Sequence, residues 1–114
     1  MIRPTSCVLL AIAVAAATGC HSRTALTPLQ AEGKHVYQGG CAHCHEENDL
    51  ALKKVPPNLH NLFSRKTLPD GGPATDAEVR RVIMNGKGLM PPFQYQMSQE
   101  QRTAVVAYLH TGLR

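Results

Sequence analysis

Five consecutive residues, Cys41-Ala42-His43-Cys44-His45, carry most of the chemistry in this 114-residue chain. Two thiols three apart on a helical turn share one face about 5–6 Å apart, a spacing that reaches two vinyl groups on neighbouring pyrroles of one porphyrin. An imidazole follows the second thiol at once. C-x-x-C-H is the attachment pattern of a c-type haem, in which two thioethers make the cofactor permanent and the histidine takes one axial position on the iron. The opposite axial position is left to a ligand from elsewhere in the chain, and that ligand decides what the iron does.

Three other uses of these residues compete. A structural zinc site needs four ligands, usually as two separated pairs, yet the other cysteines, Cys7 and Cys20, lie in what reads as a leader. A thioredoxin-type dithiol calls for a βαβ context, and no alternating strand pattern surrounds Cys41 and Cys44. A plain disulfide suits an oxidising compartment but gives His45 no purpose.

The elements that must position these groups follow a short leader. Arg3 is a positive n-region and Val8 to Ala17 an apolar stretch too short to span a bilayer, so residues 1–19 read as a secretory signal. Ala17-Thr18-Gly19-Cys20 resembles the bacterial lipobox, with alanine where leucine is commonest. That resemblance implies an acylated Cys20 at the mature N-terminus and a protein lipid-anchored on the periplasmic side of a bacterial membrane. An ordinary signal peptide cut nearby would instead leave Cys20 as a lone thiol. Residues 20–26 form a linker of roughly 20 Å at full extension, and residues 27–114 form one small domain.

Without Arg3 the mature chain carries 11 of the 12 Lys+Arg against 8 Asp+Glu, a formal charge of 11 − 8 = +3. The basic residues are scattered without interleaved aromatics, which excludes a nucleic-acid-binding surface. With no Trp, two Phe and three Tyr, the core is short of aromatic mass that a buried porphyrin would supply. The haem-free chain is expected to fold poorly.

Thr27-Pro28 reads as N-cap and first position of a helix. Gly33, Tyr37 and Cys41 recur every four residues along one face of it. A glycine inside a helix costs about 1 kcal/mol against alanine, so Gly33 predicts another backbone packed closely against it. Residues 46–55 read as a surface loop or short frayed helix, and residues 68–73 as a turn. Thr75-x-x-Glu78 predicts a capping box, Val79, Val82 and Ile83 the buried face of the next helix, and Asn85-Gly86 its end. Pro91 pushes Met90 out of helical geometry, and a methionine displayed on a Gly-rich extended loop is better placed to lend sulfur to iron than to pack. Met84 and Met97 read as packing residues. A last helix starts at Ser98 with Gln101 as capping-box partner, runs to about Leu109 and stops at Gly112. Its stripe of Val105, Tyr108 and Leu109 is expected to cross Gly33 and Tyr37.

The order Gly33-x-x-x-Tyr37-x-x-x-Cys41-x-x-Cys44-His45 resembles the N-terminal helix of class I c-type cytochromes, and the resemblance extends from about Leu26 to Arg114. It implies an all-α cytochrome c fold with crossing N- and C-terminal helices and one covalent haem c as core. The stretch Pro57 to Thr67 is similar to the one that follows the binding motif in this family, with Ser64 where glycine is common. Carried over, the Pro57 carbonyl accepts a hydrogen bond from the far nitrogen of His45, Arg65 lies near a propionate, and Met90, followed by proline, is the sixth ligand. The implied protein is a one-electron carrier and no enzyme, with His45 and Met90 both on iron, serving membrane-associated redox partner proteins. Lys53, Lys54, Lys66 and Lys87 would then offer a basic rim to acidic partners. With Met90 weak or displaced, the same scaffold becomes a haem sensor or a small peroxidase-like catalyst with an open distal face. A third reading makes the domain a subunit of a membrane oxidoreductase complex.

Overall fold

The computed structural model describes residues 24–114. The expected signal segment 1–19, the acylation site Cys20 and most of the linker lie outside the described residues. Among the described residues every regular element is helical, and the only sheet-type pairings are two isolated bridges, Thr67 with Pro73 and Lys87 with Met90. In chain order the elements are α1 (Pro28–Val36), a π turn (Tyr37–Cys41), α2 (Ala42–His45), a 3₁₀ turn (Leu62–Ser64), α3 (Asp76–Asn85) and α4 (Gln99–Leu109). This is the all-α arrangement expected.

Local chemistry explains where the helices begin. Thr27 and Ser98 each cap a helix and are answered by Gln30 and Gln101, whose side chains accept from the cap N–H groups at 3.0 and 2.9 Å. At α3 only half of the expected box forms. Thr75 Oγ1 accepts from the Glu78 N–H at 3.3 Å, but the Glu78 carboxylate turns the other way and pairs with Arg81 at 2.5 and 2.9 Å. A guanidinium three residues on offers a fork-shaped, charged donor, and it outcompetes a single neutral amide.

α1 crosses α4 at Gly33. A Cβ at this position would lie 1.9 Å from the carbonyl oxygen of Ala104 and 2.8 Å from the Cβ of Tyr108, so the two backbones meet where the side chain is missing. One turn on, the Tyr37 ring meets Tyr108 edge to face, 5.5 Å between centroids. Tyr37, Val105 and Val106 are the largest fully buried side chains. α4 buries more than the predicted stripe, with Ala104 and Val106 added, because α1 covers one side and α3 another. Val79 and Ile83 of α3 join the same core with Leu62 and Leu68, while Val82 is only half-buried.

Candidate functional site

The site is built from the helix that follows the crossing. α1 widens at Tyr37-Gln38-Gly39-Gly40-Cys41 into a π turn, and the Ala42 N–H reaches back five residues to the Tyr37 carbonyl. Such widenings recur at functional sites. Here it breaks the four-residue repeat between Tyr37 and Cys41, so Tyr37 stays buried on α4 while Cys41 is only partly buried. Cys41 to His45 then continues in αR geometry through α2.

Cys41 and Cys44 are free thiols, each partly buried. Burial, then the neighbouring Cys44, pushes the Cys41 thiol up to about 11. A reactive redox thiol needs the opposite shift, so Cys41 is poorly suited to thiolate chemistry. His43 points outward and donates through Nδ1 to Asp49 at 2.7 Å, a bond that raises its pKa. With Glu47 these two are the one His/Cys/Asp/Glu group among the described residues whose ligand atoms cluster within 4.8 Å, and all three are exposed.

His45 is oriented from outside its helix. Its Nδ1 lies 2.7 Å from the Pro57 carbonyl oxygen. A carbonyl only accepts, so Nδ1 carries a proton, and in the neutral ring this leaves Nε2 as the nitrogen with the lone pair that a metal ligand needs. The segment bearing Pro57 is itself held. Asn58 Oδ1 accepts from the His60 N–H at 2.7 Å, and Arg65 Nη2 donates to the carbonyls of Asn58 and His60 at 3.1 and 3.0 Å. Arg65, expected from the resemblance near a propionate, thus cross-links the Pro57 segment in this structure.

Met90 comes from a separate part of the chain. Lys87 and Met90 exchange both backbone hydrogen bonds, at 3.1 and 3.0 Å, closing a tight turn over Gly88 and Leu89. The turn docks on the end of α3. The Phe93 and Gln94 N–H groups bond the carbonyls of Ile83 and Met84, which a helix end otherwise leaves unpaired. Gly86, at φ +70°, makes the approach feasible, since a Cβ there would lie 2.4 Å from the Met90 carbonyl oxygen. Met90 is half-buried and packs against the same core cluster as Cys41, Leu59 and Phe93. Met97 packs there too, and Met84 is half-buried on α3.

Two features escaped sequence reasoning. Tyr37 Oη donates to Glu46 at 3.0 Å, tying the helix crossing to the residue after His45, and burial with this bond raises the Tyr37 pKa. Lys87, expected as part of a free basic rim, has its ammonium 2.5 Å from Asp70 Oδ2, so its charge is already paired. Neither contact leaves a local signal in the chain. Lys53, Lys54 and Lys66 are exposed.

Two thiols on one helical turn, an imidazole with a free Nε2 and a thioether on a fixed loop fit the donor set of a covalently attached haem. The comparisons place the chain among c-type cytochromes. The family described as "Cytochrome C oxidase, cbb3-type, subunit III" matches residues 28–109. The chain is 31% identical over 86 residues to "Cytochrome c6" of Synechocystis sp. (strain ATCC 27184 / PCC 6803 / Kazusa), covering 75% of this chain and 68% of that one. It is also 31% identical over 78 residues to "Cytochrome c6" of Chlorolobion braunii, covering 68% of this chain and 84% of that one. No solved structure matches. The span from Pro28 to Leu109 includes α1, the C-x-x-C-H segment, the Met90 turn and α4, and the chain belongs to this family of c-type cytochrome domains.

Proposed function

We propose that the protein is a one-electron carrier with a single haem c, attached through Cys41 and Cys44 and held on iron by His45 and Met90. The observation that carries this reading is the His45–Pro57 bond at 2.7 Å, which fixes the tautomer and aim of the one imidazole that follows both thiols. The haem, when bound, supplies a reversible one-electron couple. The chain's own residues do the rest. Cys41 and Cys44 fix the ring covalently, the Pro57 carbonyl makes His45 a stronger donor, and the Lys87–Met90 turn holds a thioether where it cannot drift far. A soft sulfur ligand favours the reduced state and closes the face that a substrate would need. Arg65, exposed and tied to two carbonyls beside Pro57, steadies this segment and keeps a positive charge available to a haem propionate.

Partners are redox proteins, and the wording of the matched family favours a place in a membrane oxidase complex over a freely diffusing role. No helix among the described residues is long and apolar enough to cross a membrane. Attachment through an acylated Cys20 on the periplasmic side is the reading of the leader. Mass spectrometry of the mature N-terminus tests it.

The ligation test compares ferric and ferrous spectra and carbon monoxide binding in the purified holoprotein. Wild type is expected to show the weak sulfur–iron charge-transfer band and to bind carbon monoxide slowly. Met90→Ala should lose the band, bind carbon monoxide quickly and shift the potential downward, while Met84→Leu and Met97→Leu keep the wild-type behaviour. Rapid carbon monoxide binding by the wild type would replace the carrier by the sensor or catalyst with an open distal face.

A further inference from the structure

We propose that the ion pair between Asp70 and Lys87 is a latch that positions Met90, making both of them positioning residues for the sixth ligand. The inference rests on the reading of Met90 as that ligand. Lys87 and Met90 share two backbone hydrogen bonds, so wherever the Lys87 backbone goes Met90 follows. The ends of the Met90 segment are pinned to α3 through Gly86 to Val82 and Phe93 to Ile83. Its middle projects away from the helix, with Leu89 69% exposed. Across that middle the Lys87 side chain reaches a different part of the molecule, 17 residues earlier.

The receiving end is rigid. Residues 67–73 close on themselves through Leu68 N–H to Gly72 O at 2.7 Å and Gly71 N–H to Leu68 O at 2.9 Å, and buried Leu68 anchors that turn in the core. One Asp70 oxygen accepts from the Gly72 N–H at 3.2 Å, which leaves the other aimed at Lys87 at 2.5 Å. The bond from the Gly72 N–H already orients the Asp70 carboxylate, so it is the fixed partner and the longer lysine the one that docks. The nearby Glu78 and Arg81 hydrogen-bond each other and act on Asp70 and Lys87 through charge alone. Moving the Lys87–Met90 turn away from residues 67–73 would strain or break this pair, so the pair biases the turn toward its closed position, where Met90 would be held for a haem iron.

The test uses the holoprotein with two readouts, the rate of carbon monoxide binding to the ferrous form and hydrogen exchange of the Met90 amide. Asp70→Asn and Lys87→Gln are each expected to speed both by about two- to five-fold, the range an exposed ion pair allows. The double variant should be no faster than either single one, because both remove the same contact. Molar salt should bring the wild type toward the variants and leave the variants unchanged. Met90→Ala in the same assay separates the two ideas. If it speeds carbon monoxide binding while Asp70→Asn and Lys87→Gln match wild type in both readouts, the latch is wrong and the ligand assignment stands. If Met90→Ala changes nothing, the ligand assignment fails and the latch loses its purpose.

Discussion

The crossing of α1 and α4 and the loops that carry Pro57 and Met90 are held by different physics. At the crossing, backbone meets backbone over Gly33, Tyr37 and Tyr108 interlock, and Val105 and Val106 are fully buried. The loops bury little and rely on individual hydrogen bonds, from His45 to Pro57, from Arg65 to two carbonyls and between Lys87 and Met90. Packing of the first kind tolerates no added atom. Bonding of the second kind can be adjusted one contact at a time. The fold and the properties of the site are thereby separable targets for substitution.

The largest expected effect comes from putting a side chain where the helices touch. Gly33→Val would place carbon atoms within the Ala104 carbonyl, and backbone cannot step aside as a side chain can, so a loss of about 3 kcal/mol or more is expected. Gly39→Ala makes the matching control. Nothing lies within 4 Å of its added Cβ, and replacing a helical glycine with alanine should stabilise by about 0.5–1 kcal/mol. Thermal unfolding of the two holoproteins decides it, and equal shifts would mean that close packing does not govern the crossing.

Tyr37 joins the two regions, since its ring lies in the crossing and its hydroxyl bonds Glu46 beside His45. Tyr37→Phe keeps the ring and leaves an exposed carboxylate able to turn to water, so the expected loss is about 1 kcal/mol. The haem spectrum should stay unchanged. A spectral change at unchanged stability would show that this bond serves the site and not the fold.

What was legible in the sequence follows the same division. Caps at Thr27 and Ser98, the close approach at Gly33 and the stop past Leu109 each depend on residues within a few positions, and they lie where spacing puts them. The C-x-x-C-H residues likewise occupy one continuous helical segment. The departures involve competition or distance. Glu78 had two partners in reach and chose Arg81 over its cap. Lys87 found a carboxylate 17 residues away, a pairing that no local pattern encodes. The π turn had a cue in Gly39-Gly40, but where a helix widens depends on keeping Tyr37 on α4 while the next turn leaves it.

The smallest expected effect is a dependence on pH confined to the bonded regions. Asp70 is held below the usual aspartate range by its bonds to Lys87 and the Gly72 N–H, and Glu78 below the glutamate range by Arg81. A carboxylate whose folded pKa is depressed binds fewer protons in the folded than in the unfolded chain. It therefore adds stability at pH values above the unfolded values of about 3.9 and 4.3, and that stability disappears as pH falls through the lower folded values. Stability differences between wild type and Asp70→Asn, or wild type and Glu78→Gln, should be constant above about pH 5 and shrink as pH drops below about 4. The Gly33→Val penalty should stay level across the same range, because it comes from overlapping atoms and no proton binds there. Denaturant unfolding at several pH values measures all three. A carboxylate difference that persists undiminished in acid would mean that Asp70 and Glu78 act through packing, and the contrast between the two regions would then rest on geometry alone.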